Sequence, residues 1–456
     1  MKLKNKHFSI IRGLLFTITF CILAALVAGA LRTPFDARSF STPAEALTGF
    51  TYEIAGGGRG AATFPHSFKN LAPNTVVTIY VDIEPRRYDN LLVKTVYTPL
   101  RIYADDELIY ECGQAGSYPA WLLDPPTLLK IVPLPESASN LRFEYVSPSQ
   151  RGVMSVPALM AGSDGALLAE LFNTNGALLV MSLFFLFLGL AVSVVSLLFW
   201  RKGKIFLYLG LFSFAVGCWS FGECNATMFL IPSPVLLYLM TFGGLFTLVI
   251  PFLRYGCLIL NPRNVVLIRI AAAVTEVAVI IAFALQLMGV AALSKSMYVF
   301  HILIPLDFVI FAATTVWEYF RYRNKTAKRF LLPTLVLAVS AILEVVNYSL
   351  RFTSVLSLFF LSGAFIFTLL LGFIGGQYIF ETRREMEELA AQTSFFRKMN
   401  HALRTPLTVV STNIQTARRR PEEADELLTE SQSEIMKMAE MIDDALQDSD
   451  KEEARR

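Results

Sequence analysis

The sequence predicts a multi-domain membrane protein: an N-terminal signal or anchor helix, an extracellular β-sandwich, a seven-helix transmembrane bundle and a cytoplasmic two-helix hairpin. Three observations predict it. The 456-residue chain is 54% hydrophobic, and its apolar residues gather in repeated runs of about 20, each long enough to cross a bilayer. Residues 32–172 instead alternate apolar and polar side chains over short runs. Residues 381–456 are charged, with apolar positions at helical spacing. A net charge of +3 is too small to suggest nucleic acid as a partner; membrane lipid is the expected surroundings.

The first element, residues 1–31, reads MKLKNKHFSIIR followed by an apolar stretch from Gly13 to Ala30. A basic flank and an apolar core fit a signal peptide or a first membrane anchor. Both place residues 32–172 outside. There the expected strands are Val76–Ile83, Leu91–Thr98, Leu100–Tyr103, Glu107–Cys112, Leu128–Leu134, Leu141–Val146 and Val153–Leu159. Asp105-Asp106 is the expected hairpin turn, and the glycine-rich run 56–60 is expected to be a flexible loop. Many short strands without a helical period argue for a sandwich. Cys112 and Cys224 fall on the same side, which leaves a disulfide or two free thiols, buried free thiols being the commoner state.

Seven apolar helices are expected over 174–200, 205–222, 235–253, 265–290, 297–319, 330–349 and 356–380, within residues 173–380. Arg201, Lys202 and Lys204 follow the first, Arg254 and Arg263 flank the next loop on that side, and Arg321, Arg323, Lys325, Lys328 and Arg329 fill the third. The alternate loops are poor in Lys and Arg, so the basic side is cytoplasmic. Residues 381–396 read as a linker helix. Over 397–447, two amphipathic stretches flank Pro421: a stripe running from Met386 through Leu403, Leu407 and Ile414 to Ala417, then Leu428, Ile435, Met438, Ile442 and Leu446. Two such helices bury their faces as a four-helix bundle in a homodimer. Residues 448–456 form a tail.

His401 lies in NHALRTPL, residues 400–407. At about 100° per residue it points roughly 200° away from Leu403, onto the exposed face. There an imidazole nitrogen is free to act as a nucleophile near neutral pH. Thr405 follows one turn later, and Pro406, lacking an N–H, is expected to kink the helix. On geometry alone this is also an ordinary surface histidine. The stretch HALRTPL, however, resembles the H-box of the histidine kinase dimerisation and phospho-acceptor domain, and Phe395–Leu446 is similar to that domain throughout. The resemblance implies that His401 accepts the γ-phosphoryl of ATP and passes it to an aspartate of a response regulator. It also implies that Thr405 helps orient water in the reverse, phosphatase reaction, with Arg404 and Pro406 completing the motif.

Two departures accompany it. The family usually places an acidic residue after the histidine, and here that position is Ala402. The family's ATP-binding domain would follow the second helix, where only QDSDKEEARR stands. The expectation is therefore a truncated sensor kinase, or one phosphorylated in trans, with no cofactor or metal bound by this chain and ATP and Mg²⁺ supplied through a missing or separate domain. A non-catalytic receptor or scaffold, or a phosphatase-biased partner of a response regulator, is the alternative; a transporter or channel is a weaker one.

A β-rich outer domain, seven helices and a signalling module together resemble the bacterial seven-transmembrane receptors with diverse intracellular signalling modules. The stretch PLRIYADDELIYECG, 99–113, is similar to the strand pairs of their jelly-roll sensing domains. The resemblance implies a bacterial cell membrane and a small-molecule or carbohydrate ligand, with Tyr110, Tyr118 and Trp121 as candidate contacts, though core packing is the expected role of at least two of them. Within the spans, Glu276, His301, Asp307 and Glu344 stand out, because ionisable groups at bilayer depth are costly and usually paired. They are candidates for a polar switch or for inter-helix glue.

Overall fold

The computed structural model describes residues 42–198, 200–263, 265–350, 357–420 and 424–454. The expected N-terminal helix 1–31 lies outside them. The described chain divides into two compact units, residues up to Gly375 and Gly376 onward.

The first unit opens with twelve strands: β1 (Glu45–Leu47), β2 (Gly49–Ile54), β3 (Arg59–Thr63), β4 (His66–Lys69), β5 (Val76–Asp82), β6 (Asn90–Thr95), β7 (Leu100–Ala104), β8 (Glu107–Cys112), β9 (Leu128–Pro133), β10 (Asn140–Val146), β11 (Val153–Val156) and β12 (Leu159–Gly162). They form a six-stranded sheet, β3-β2-β5-β10-β7-β8, a four-stranded sheet, β1-β12-β6-β9, and the pair β11-β4. Pairing is antiparallel, and in β5, β7 and β10 alternate side chains point inward. Val81, Leu141 and Ala104 lie in one cross-strand row, Ile79, Phe143 and Ile102 in the next, and Val77, Tyr145 and Leu100 in the third. All nine are buried, in one cluster with Leu91 and Val93 of β6, Val132 of β9 and Ala161 of β12. The two larger sheets therefore share a single core, the arrangement of a sandwich.

The β7–β8 connection is the two-residue turn expected. Asp105 and Asp106 have φ of 46° and 74°, the positive values that let such a turn match strand twist. The Asp105 carboxylate also accepts hydrogen bonds from the Ser139 hydroxyl at 2.8 Å and the Asn140 N–H at 3.0 Å. Those bonds hold its pKa below its ordinary value. Two expectations are corrected. The run 56–60 is not a loose loop: Gly56, at φ 73°, turns β2 into β3, and Arg59 and Gly60 already belong to β3. The single strand expected over Val153–Leu159 is two strands, because Pro157 has no N–H to offer a ladder. β11 pairs with β4, and β12 with β1 and β6. The cysteines Cys112 and Cys224 are free thiols. Burial pushes both thiols up.

Helices follow: α1 (Asp164–Leu198), α2 (Trp200–Glu223), the single turn α3 (Thr227–Leu230), α4 (Pro234–Thr247), α5 (Val249–Leu260), α6 (Val266–Leu287), α7 (Leu293–Tyr322), α8 (Lys325–Leu350), α9 (Leu358–Arg419) and α10 (Ala424–Ala454). Seven of the described helical stretches are long and apolar enough to cross a membrane, with α4 and α5 together making one of them, Pro234–Leu260. The bundle is inverted as a membrane solvent demands. Ile280 and Ile302 are about 70% exposed on its outside, whereas Phe246 stacks on Phe300 inside it, ring centroids 3.7 Å apart. α1 and α2 approach so closely at Gly189 that a Cβ there would lie 2.3 Å from the Phe214 nitrogen, the close small-residue contact of membrane helices.

A loop of the sandwich seats on the helix ends. Leu122 enters a cluster with Tyr238, Phe242, Phe246, Leu293 and Phe300, and Tyr118 and Trp121 pack against it. Gln286, buried on α6, donates to the Trp121 carbonyl at 2.6 Å and accepts from the Tyr238 hydroxyl at 2.9 Å and the Leu293 N–H at 2.8 Å. One amide thus ties the loop to α4, α6 and the start of α7. Lys94 of β6 donates to Asn225, between α2 and α3, at 2.7 Å, its pKa lowered by desolvation.

Candidate functional site

In the second unit α10 lies back against the C-terminal part of α9. The inward ridge of α9 is legible from burial: Leu403, Pro406, Val410, Asn413 and Ala417 are buried or half-buried at spacings of three and four. Asn413 crosses to α10, donating to Glu430 at 3.0 Å. The helix continues through Pro406, whose missing N–H costs one backbone bond, and no break follows it. Three threonine hydroxyls, Thr408, Thr412 and Thr416, each donate to the carbonyl four residues earlier, at 2.8 Å.

His401 stands off this ridge and is exposed. Thr405 is exposed one turn later on nearly the same face, and Ala402 is exposed between them. Arg404 is exposed and borders a groove of 530 Å³ between the helices, with Asn400, Leu403, Leu407, Ile435 and Met438. The arrangement offers a solvent-facing imidazole with a hydroxyl and a guanidinium within a turn of it. The amphipathic stripe itself is divided. Leu403 and Val410 face α10, whereas Leu407, Ile414, Leu428 and Ile435 remain between 41% and 61% exposed, a second apolar face that the hairpin does not cover.

The intramembrane residues sort by partner. Asp307 is buried and accepts from the Thr275 hydroxyl at 2.6 Å. His301 is exposed and does not share its face, since six residues of helix rotate by about 240° net. Glu276 accepts from Arg254, Nη2 at 2.5 Å and Nε at 2.9 Å. Arg254 therefore lies inside the third span and not at its flank. Glu344 accepts from the N–H groups of Ser357, Phe359 and Phe360, at 2.7, 3.1 and 3.3 Å, and so caps the start of α9.

The aromatic residues expected at a ligand do not come together. Tyr110 packs half-buried against the sandwich core, and burial raises its pKa. Tyr118 and Trp121 pack against the helix ends. Gln286 was not singled out from sequence, although an amide inside FALQLMG, 283–289, has to find partners wherever the run is buried.

A family model, the His Kinase A (phospho-acceptor) domain, matches residues 391–454, a stretch that holds His401, the groove and both helices of the hairpin. No curated protein matches the chain. Residues 391–454 are thus similar to the phospho-acceptor domain of the histidine kinases, in a chain whose described residues also include seven helices long and apolar enough to cross a membrane.

Proposed function

We propose that the chain is a transmembrane sensor histidine kinase, in which a signal met by the extracellular β-region alters phosphorylation of His401 on the cytoplasmic side. The observation that carries this reading is the exposed His401, standing off the buried ridge of a matched phospho-acceptor hairpin. An imidazole nitrogen of His401 attacks the γ-phosphorus of ATP. The bond to the bridging oxygen breaks, ADP departs with the electron pair, and the imidazole proton passes to a base. Ala402 offers no carboxylate for it, so water takes that proton, while a nucleotide-binding domain, in this polypeptide or in trans, holds ATP and Mg²⁺. The N–P bond of phosphohistidine then breaks as an aspartate carboxylate of a response regulator takes the phosphoryl group. Thr405 serves the hydrolytic return reaction by orienting water.

The uncovered face at Leu407, Ile414, Leu428 and Ile435 supports a homodimer, in which two hairpins form a four-helix bundle. A ligand that binds two states of the receptor unequally supplies the energy to move between them; a small molecule or a carbohydrate is the expected class. Asp307 with Thr275, and Glu344 at the α9 cap, are the polar contacts proposed to differ between those states. Ala402 favours a second reading, a phosphatase-biased partner or a scaffold. The test is made in cells expressing the full chain, with phosphorylated response regulators separated on phosphate-affinity gels. His401→Gln removes the chain-dependent band, and Thr405→Ala strengthens it. A band unchanged by His401→Gln contradicts the kinase reading.

A further inference from the structure

The third span is broken at Leu248, between α4 and α5. Pro251 causes the break: it has no N–H for the Thr247 carbonyl. The bend opens a cleft of 720 Å³, with apolar walls that include Leu211, Phe214, Leu239, Met240 and Ile250. Gly243 enlarges it, since a Cβ there would meet only a Phe283 ring carbon, at 3.9 Å. The cleft opens on the lipid face, where its own wall residues Leu211 and Phe214 are 41% and 38% exposed. At one end of it lies the Arg254–Glu276 ion pair, whose side chains remain 48% and 32% exposed.

Depth makes this pair unusual. At 1.5 Å per residue, Arg254 sits about 9 Å from the Leu260 end of its helix and Glu276 about 15 Å from the Val266 end of the next, on the same side. Tyr208, also on the cleft wall, hydrogen-bonds Arg254, yet both members of the pair stay partly exposed at a depth where unsolvated charge is costly unless something polar covers it. The pair is neutral as a whole, so a charged occupant would have to break it. A phospholipid headgroup would have to sink far below the interface to reach it.

We propose that this cleft binds an uncharged lipophile from the bilayer, a single-chain or prenyl-type molecule with one hydrogen-bonding polar group. The polar group, a hydroxyl or carbonyl, lies on Arg254 and Glu276, and the chain lies along Leu239, Met240 and Phe214. Such a ligand reaches the receptor from within the membrane, independently of the sandwich and of phosphotransfer at His401.

The test uses the full chain in nanodiscs of phosphatidylethanolamine and phosphatidylglycerol, with a diazirine-bearing hexadecanol as probe and mass spectrometry to map adducts. Adducts concentrate on peptides spanning 239–251. Excess unlabelled hexadecanol competes them away and leaves adducts at the lipid-facing Ile302 on α7 unchanged. Arg254→Met with Glu276→Met lowers the cleft adducts about tenfold, the loss expected when a charged hydrogen-bond partner is removed. Gly243→Leu lowers them by filling the space. Unchanged labelling at Ile302 shows that these variants keep their fold. Adducts spread evenly over the lipid-facing helices, or an absence of competition in the unmodified chain, overturn the proposal. So do equal labelling by a diazirine phosphatidylcholine, which makes the cleft a site for bulk lipid, and cross-links from the cleft to a second copy.

Discussion

On the proposed reading, two neighbours set the chemistry at His401 in different ways. Thr405 repeats the exposed face one turn later, and Ala402, also exposed, occupies the position from which a carboxylate would accept the imidazole proton. A general base contributes typically 10²–10⁴-fold. Ala402→Glu is therefore expected to raise the initial rate of His401 phosphorylation by about 10²-fold, measured with labelled ATP and a supplied nucleotide-binding domain. A rate unchanged by the substitution means that the base already comes from elsewhere. The exposure of His401 was legible in the sequence, because helical phase sets it roughly 200° from Leu403. The partners of the intramembrane acids were not legible. Asp307 meets Thr275 and Glu276 meets Arg254, contacts that depend on which helices become neighbours, and no spacing along one helix encodes that.

Among the elements, helices were read more fully than strands. Each of the seven apolar runs is a helix, since a run of about 20 apolar residues has one stable answer in a bilayer. Among strands, the alternation in Val76–Asp82 and Asn140–Val146 announced itself, whereas β1 to β4 did not. Short edge and hairpin strands such as Arg59–Thr63, RGAAT, carry too little apolar alternation to register. The element with the largest functional consequence is α9, Leu358–Arg419, which includes both the last apolar span and His401. Inserting one residue between 385 and 395 rotates the C-terminal part of α9, His401 included, by about 100°. The expected outcome is a changed ratio of kinase to phosphatase output, with four inserted residues restoring it in part, since four residues complete about one turn. Equal output from insertions of one, two and four residues contradicts helical transmission.

In the first unit as a whole, the sandwich and the membrane helices form one body through a narrow set of contacts. Gln286 carries one of them, to the Trp121 carbonyl, and anchors it among the helices through Tyr238 and Leu293. Gln286→Leu leaves the Trp121 carbonyl, the Tyr238 hydroxyl and the Leu293 N–H without that partner. Each unsatisfied buried group costs about 1–3 kcal/mol. The variant is expected to lower the thermal midpoint of the full chain in detergent and to weaken the response of His401 phosphorylation to the external signal. A midpoint and a response both unchanged would show that the junction is passive. Packing was the expected role of at least two of Tyr110, Tyr118 and Trp121, but the sequence did not show that Tyr118 and Trp121 pack on the helix ends, because that contact joins segments far apart in the chain.

The proposed reading turns on whether His401 accepts phosphate. The decisive measurement supplies the membrane-inserted full chain with labelled ATP and a separately expressed histidine-kinase nucleotide-binding domain, beside a His401→Gln control. An acid-labile, base-stable label is expected on the chain and absent from the control. A chain shown to be folded and dimeric that takes up no such label, or a label that survives in His401→Gln, would contradict a phospho-acceptor role for His401.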